Sequence, residues 1–291
     1  MSSWRDATRR SISTPLPCGP DMIVFTDLDG TLIDFETYSA EITAPRVRQL
    51  LQDGTPVVFC SSKTRHEQRA LMQKMKIDTI GIVENGSGIY LPENCPLFPN
   101  QHDQAMPEGG RMIRLGKSAD EIQQKIDFVS AGLDIDLKPY ANLNDREISK
   151  LTGLSGEAAS RARQRDFSET LTTQLDLPQW TELQAAFADH GLQCLCGGRF
   201  YTVSSANCHK GKALQQIVQA YSALRTAPVR SIAIGDSAND VDMLKAADVS
   251  YLVQQPSGAW HEIDLPGVHR MPAIGPVGWL EAINHAEALP A

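Results

Sequence analysis

Val24-Phe25-Thr26-Asp27-Leu28-Asp29-Gly30-Thr31-Leu32-Ile33-Asp34 is the stretch on which the reading of this chain turns. An apolar run with β-branched members stops abruptly at two carboxylates, Asp27 and Asp29, and Gly30-Thr31 supplies a turn directly afterwards. The pattern predicts a buried strand that delivers acids to its own C-terminal edge. Side chains alternate along a strand, which puts Asp27 and Asp29 on the same side. Two carboxylates held that close repel unless one is protonated or a cation lies between them, and a hard ion such as Mg²⁺ takes oxygen ligands of this kind. A bare Asp-x-Asp is commonly no more than an exposed strand end. Asp134-Ile135-Asp136 shares the spacing but has neither the Gly-Thr sequel nor a buried run before it, and reads as a solvated loop or strand face.

Outward from this stretch the chain alternates. Thr43-Ala44-Pro45 opens a helix that Gly54 ends; 56–60 is a short apolar strand; 64–76 is an amphipathic helix; 79–83 is a third strand, followed by Glu84-Asn85-Gly86. Such alternation with short links predicts an α/β fold built on an open Rossmann-like parallel sheet, where ligands gather at the carboxyl ends of the strands. From about Tyr90 the texture changes, and 92–110, rich in Pro, Asn and Gly, reads as a linker or long loop. Ser118 and Glu121 have capping-box spacing for a helix reaching Gly132. Short helices over 144–153 and 155–164, a strand over 165–173, a helix over 178–190 and a hairpin around Gly197-Gly198-Arg199 follow. The alternation then returns with helix 210–225, strand 229–234, helix 239–246 and strand 249–253. The expected organisation is a flexible extension over 1–21, a core formed by 22–90 and 205–291, and an inserted α+β cap over 91–204.

Composition narrows the functions. Over 291 residues, 27 Lys and Arg against 35 Asp and Glu give a net charge of -8, which offers nothing to nucleic acid or an anionic membrane. No apolar run reaches the roughly 18–20 residues of a membrane span, and none near the start has the character of a signal segment, so a cytoplasmic location is expected. Arg9-Arg10 echoes a twin-arginine signal faintly, but the polar, proline-rich 11–20 does not continue it. The six cysteines, Cys18, Cys60, Cys95, Cys194, Cys196 and Cys208, lack zinc-site spacing and suit a reducing compartment.

Further clusters fall at other strand ends. The apolar run Ser231-Ile232-Ala233-Ile234 leads into Gly235-Asp236-Ser237-Ala238-Asn239-Asp240. Asp236 can supply a third oxygen to a cation, while Asn239 and Asp240 either orient water or a basic group or simply cap the next helix. Lys210 starts a helix just after the insert. Three carboxylates, a cation and a phosphoryl group need an ammonium beside them, a role for which Lys212 is the rival. Ser61, at the end of the second strand, has a hydroxyl and an N–H to offer a phosphate oxygen, or else it is a turn residue. No phosphate loop of Walker type is present, and Leu91 stands where a dinucleotide fingerprint needs its third glycine.

In this order the four segments resemble the haloacid dehalogenase superfamily of phosphohydrolases. The resemblance implies that Asp27 is the nucleophile, Ser61 and Ser62 hold phosphate, Lys210 is the basic third motif, and Asp236 with Asp240 the acidic fourth. It further implies Mg²⁺ bound by the Asp27 carboxylate, the Asp29 backbone carbonyl and Asp236, with the Asp29 side chain as general acid and then base. Within the superfamily, 61–65, Arg165-Asp166-Phe167-Ser168-Glu169, 197–200 and Gly275-Pro276-Val277-Gly278-Trp279 look like the mannosyl-3-phosphoglycerate phosphatase family, whose cap also lies between the second and third motifs. That likeness implies conversion of a small phosphorylated glycoside to mannosylglycerate and phosphate. Arg165 and Arg199 would fork onto the substrate carboxylate, Ser168 and Glu169 would bond sugar hydroxyls, and Lys63 or Asn85 would meet the cap side of the ligand. Where that family has a proline after its Ser-Glu pair, this chain has Thr170. The other readings are a phosphatase for the glucosyl analogue or another sugar phosphate, and a non-catalytic phosphometabolite binder. Asp27, Asp29, Lys210 and Asp236 together weigh against the last, since a binder needs no nucleophile paired with an acid.

Overall fold

The computed structural model describes residues 12–13, 22–99, 104–107, 109–197, 199–225 and 228–290. In chain order the first elements are β1 (Ile12–Ser13), β2 (Met22–Thr26), α1 (Ala44–Gln52), β3 (Val57–Cys60), α2 (Arg65–Met75), β4 (Ile77–Asp78), β5 (Gly81–Val83), β6 (Gly88–Leu91), β7 (Gln104–Ala105) and β8 (Arg111–Arg114). An inserted block follows: α3 (Ala119–Leu133), α4 (Asp145–Thr152), α5 (Gly156–Arg163), β9 (Ser168–Leu171), α6 (Leu177–Ala188), β10 (Leu192–Gly197) and β11 (Phe200–Ser205). The chain then gives α7 (Lys210–Ala223), β12 (Arg230–Gly235), α8 (Val241–Ala246), β13 (Val249–Gln254), β14 (His269–Ile274) and α9 (Gly275–Ala288).

A nine-stranded sheet ordered β14-β13-β12-β2-β3-β5-β6-β8-β7 forms the core. From β14 to β5 all neighbours are parallel, and the β6–β8 side is antiparallel. The quoted stretch supplies β2, near the middle, because a strand apolar on both faces is stable only where both faces are covered. Val24 packs into one layer with Val47, Leu50, Trp279 and Ile283 of α1 and α9. Its neighbours Ile23 and Phe25 pack into the other, with Leu214 and Ile217 of α7 and Met243 and Leu244 of α8. Each such fully buried side chain contributes about 1.5–3 kcal/mol.

The insert is a three-stranded antiparallel sheet ordered β10-β11-β9. Ile122, Ile126, Leu183 and Phe187 of α3 and α6 pack on Leu171 and Val203 of that sheet. The Ser118–Glu121 capping box opens α3, with the hydroxyl and the carboxylate each satisfying the other residue's backbone N–H. A smaller knot around Ile148 and Ala159 joins α4 and α5.

The structure moves one expected boundary. The sheet does not end near residue 91, since β8 joins it and buries Met112 in one apolar layer and Ile113 in the other. The Pro- and Gly-rich 92–110 is a connection within the core, and the insert begins beyond Leu115 and Gly116, whose N–H groups both bond the Ser87 carbonyl. Of the extension over 1–21, Ile12–Ser13 pairs parallel to β4; the rest, with Arg9, Arg10 and Cys18, lies outside the described residues. No helix among the described residues is long and apolar enough to cross a membrane.

Candidate active site

Parallel register brings the key strand ends to one edge. Thr26 pairs with Phe59 on one side and Ile234 on the other, so Asp27, Ser61 and Asp236 leave the sheet side by side. The Asp27 N–H donates to the Ile234 carbonyl at 2.9 Å. Carboxylate oxygens of Asp27, Asp236 and Asp240 lie within 4.8 Å of one another. Lys210, 1 % exposed, reaches into this group: its Nζ is 2.6 Å from Asp27 Oδ1 and 2.7 Å from Asp240 Oδ1. The second oxygen of Asp240 accepts the Asp236 and Ser237 N–H groups at 3.1 and 3.2 Å, and the Thr31 hydroxyl donates to Asp236. Behind Asp27, Trp279 Nε1 donates to the Thr26 hydroxyl at 3.0 Å, which in turn donates to the Asp27 carbonyl at 2.7 Å.

Lys210 arrives here because of a close approach. Gly86 has φ +95°, and a Cβ on it would run into the His209 carbonyl and the Lys210 nitrogen. His209 caps α7 by accepting the Lys212 N–H, while the Lys212 ammonium bonds the Asn207 carbonyl in solvent. Of the two rival lysines, Lys210 is therefore the one at the acids.

Burial pushes the Asp27 carboxyl well above the usual carboxylate range, against the pull of Lys210. Burial and the neighbouring Asp240 push Asp236 up to about 6. Burial also works against the Lys210 ammonium, but Asp240 and Asp27 outweigh it and hold its pKa above the ordinary lysine value. Three carboxylates against one ammonium leave excess negative charge in a desolvated place, and every free donor is a hard oxygen. A small divalent cation fits that donor set.

A stability prediction follows from Asp236. Its carboxyl holds a proton more tightly folded than unfolded, so metal-free stability falls as pH rises from about 4 to about 6, and the full penalty stands above that window. At pH 7.5 Asp236→Asn is expected to stabilise the metal-free protein by about 2 kcal/mol and to flatten the wild-type rise in melting temperature on adding Mg²⁺. Calorimetric melts with and without Mg²⁺ check both.

Asp29 stands apart from the acid cluster. The strand ends at Thr26; Gly30, at φ +76°, and the Asp29–Ile33 bridge turn the chain, so the two-residue period stops before Asp29. Its Oδ2 lies 3.0 Å from Lys63 Nζ, and its Oδ1 is buried without a hydrogen-bond partner among the described residues. The Asp29 side chain therefore does not share the cluster of Asp27: Asp240 is the third carboxylate beside Asp27 and Asp236. Burial raises the Asp29 carboxyl, opposed by Lys63. Lys63 also lies 3.7 Å from Glu67 Oε1 and 5.0 Å from the centre of the Tyr38 ring, so its partners are core residues.

The other expected site residues fall as follows. Ser61 is buried and its hydroxyl accepts the Lys63 N–H; the Ser62 carbonyl accepts from Arg165 Nη2 at 3.2 Å. Asn85, at φ +58°, donates its N–H to the Ser61 carbonyl, and its Oδ1 is buried without a hydrogen-bond partner among the described residues. Ser168 accepts from Arg165 Nε at 2.8 Å. Glu169 accepts the Ala141 and Thr170 N–H groups, and burial pushes its carboxyl up. Thr170 continues β9, paired with Thr202. Arg199 is exposed and donates to the Leu151 carbonyl at 2.8 Å, so the two arginines have separate partners. Asn239 is exposed, its amide oxygen accepting from the Ser237 hydroxyl, and is not among the clustered acids.

Sequence reasoning passed over Thr31, Trp279's hydrogen bond and, above all, Glu84. Glu84 is 0 % exposed, and its carboxylate accepts from the Asp166 and Phe167 N–H groups at 2.8 and 3.0 Å and from the Ser168 hydroxyl. The one available signal was an acid placed directly before Asn-Gly at a strand end.

A parallel α/β sheet whose carboxyl edge carries clustered acids and a buried lysine beneath an inserted cap defines a capped hydrolase built to handle an anionic group. The chain belongs to the haloacid dehalogenase-like hydrolase family, whose model matches residues 24–109 and 110–259. It is 33% identical over 263 residues to the glucosyl-3-phosphoglycerate/mannosyl-3-phosphoglycerate phosphatase of Methanococcoides burtonii, covering 90% of this chain and 95% of that protein. It is 34% identical over 231 residues to the mannosyl-3-phosphoglycerate phosphatase of Pyrococcus furiosus, covering 79% of this chain and 90% of that one. Among solved structures, a phosphatase of the haloalkanoate enzyme superfamily from Bacteroides thetaiotaomicron superposes with TM-score 0.65 at 17% identity, covering 94% of this chain and 98% of its own.

Proposed function

We propose that this protein is a Mg²⁺-dependent phosphomonoester hydrolase that releases phosphate from a glycosyl-3-phosphoglycerate, mannosyl or glucosyl. The observation that carries the reading is the buried Asp27–Lys210–Asp240 contact with Asp236 beside it. The names of relatives matched along nearly the whole chain support the substrate class.

Phosphoryl transfer demands positioning and charge neutralisation more than a strong nucleophile, which is why a carboxylate suffices. Asp27 attacks phosphorus to form an aspartyl phosphate as the bond to the glycerate oxygen breaks. Asp29 gives that oxygen its proton, then takes one from the water that hydrolyses the acyl phosphate and returns Asp27. Lys210, held by Asp240, anchors the phosphoryl oxygens and favours the ionised form of Asp27 against its burial, and Ser61 and Ser62 would offer their hydroxyls to the same group. Asp27, Asp236 and the Asp29 carbonyl would hold Mg²⁺, which when bound neutralises charge building on the transferred group.

The test is phosphate release from mannosyl- and glucosyl-3-phosphoglycerate, free 3-phosphoglycerate and simple sugar phosphates. The expected result is preference for a glycosyl-3-phosphoglycerate, loss of turnover in chelator and recovery with Mg²⁺. Failure to hydrolyse either glycosyl compound overturns the substrate class, and indifference to chelator removes the metal.

A further inference from the structure

We propose that Glu84 is a positioning residue, which fixes the ligand-facing edge of the cap over the nucleophile by holding Arg165 and Ser168. The inference rests on the phosphatase reading above and adds to it the residue that sets the distance between the two halves of the substrate site.

Glu84 belongs to the core but spends its carboxylate on the cap. One oxygen accepts the Asp166 N–H, the other accepts the Phe167 N–H and the Ser168 hydroxyl, and Arg165 Nε lies 3.7 Å away. Four consecutive cap residues therefore converge on one core side chain, and the last of them begins β9. Arg165 closes the circuit by donating to Ser168 Oγ and to the Ser62 carbonyl in 61–65, the phosphate loop of the proposed reading. The Glu84 and Asn85 N–H groups donate to the Lys63 and Ser61 carbonyls of that same loop. Phosphate loop, Glu84 turn and cap edge thus form one hydrogen-bonded unit.

The backbone shows what this arrangement costs. Glu84, Asn85 and Gly86 have φ of +50°, +58° and +95° in succession. A left-handed glutamate is uncommon and strained, so its neighbours must over-determine it. Burial also raises the Glu84 carboxyl, against Arg165 and the donated hydrogen bonds. An interdomain staple needs neither a strained glutamate nor a charge. What the charge accomplishes is orientation, because a guanidinium whose Nε is held by Ser168 beside a carboxylate presents its plane in one direction. A glutamine here would turn an NH₂ group toward N–H donors and leave Arg165, largely buried, without its counter-charge.

A substrate that reaches the cap depends on this edge, whereas an aryl phosphate that occupies only the core does not. The experiment compares kcat/KM for the better glycosyl-3-phosphoglycerate with kcat/KM for p-nitrophenyl phosphate in wild type, Glu84→Gln, Arg165→Gln and the double variant. The ratio is expected to fall at least about tenfold in Glu84→Gln, carried mainly by KM, and the double variant is expected to be no worse than Arg165→Gln alone. An unchanged ratio, or losses that multiply in the double variant, overturns the inference. If Glu84→Gln does not accumulate as folded protein, Glu84→Asp, which keeps the charge but withdraws it by one methylene, must lower the ratio in the same direction. Wild type failing to prefer the glycosyl compound would sink the proposed function instead, which separates the two.

Discussion

Asp27→Asn releases phosphate at least about a thousandfold more slowly than wild type, with an undiminished melting temperature. Asparagine keeps the shape and one oxygen that can accept from Lys210, so the strand tip and its bond to the Ile234 carbonyl persist. What is lost is the negative oxygen that attacks phosphorus. Burial already disfavours the Asp27 charge, and Asp240 still balances Lys210, so the fold loses nothing by the change. Phosphate release and a thermal melt on the same preparation check both halves. Turnover within tenfold of wild type would remove Asp27 as nucleophile and the aspartyl phosphate with it.

Lys210→Met is expected to be both inactive and about 3–5 kcal/mol less stable at pH 8. The ammonium is almost wholly buried and holds two buried carboxylates at once. Methionine fills much of the volume but leaves Asp27 and Asp240 facing each other uncompensated. With Lys210 no longer opposing burial, Asp27 takes up a proton as pH falls, so the stability gap between variant and wild type narrows toward pH 5. Lys212→Met, on the exposed side of the same helix start, should change stability by less than about 0.5 kcal/mol. Urea unfolding of all three proteins at both pH values decides; equal losses for the two lysines would contradict the buried role of Lys210.

The core was legible because its signals are local. An apolar run broken by Asp and Gly predicts a buried strand ending in a site: β12 ends one residue beyond the expected 234, while β2 stops at Thr26, short of the Asp27–Asp29 stretch over which alternation was expected. Lys210 was legible from its place at a helix start after the insert. Asp29 was placed with Asp27 by a rule that holds only inside a strand, and the strand stops one residue before Asp27. The β6–β8 ribbon was missed because its connection carries the Pro and Gly expected of a linker, while its own strands are only four residues long. Pro272 in β14 is tolerated because that strand lies at the sheet's edge, with no ladder partner beyond it among the described residues. The partners of Arg165 and Lys63 depend on which loops meet in space. Glu84, Ser62 and Asp29 supply them from segments that no periodicity connects.

The position of β2 also constrains when this protein can finish folding. β3 follows it closely in sequence, but its other neighbour, β12, begins at Arg230, and Trp279 behind the Asp27 carbonyl comes later still. A ribosome must therefore deliver the whole insert before the strand it interrupts can be enclosed. Until then one edge of a strand that is apolar but for Thr26 stays open to pairing with other chains.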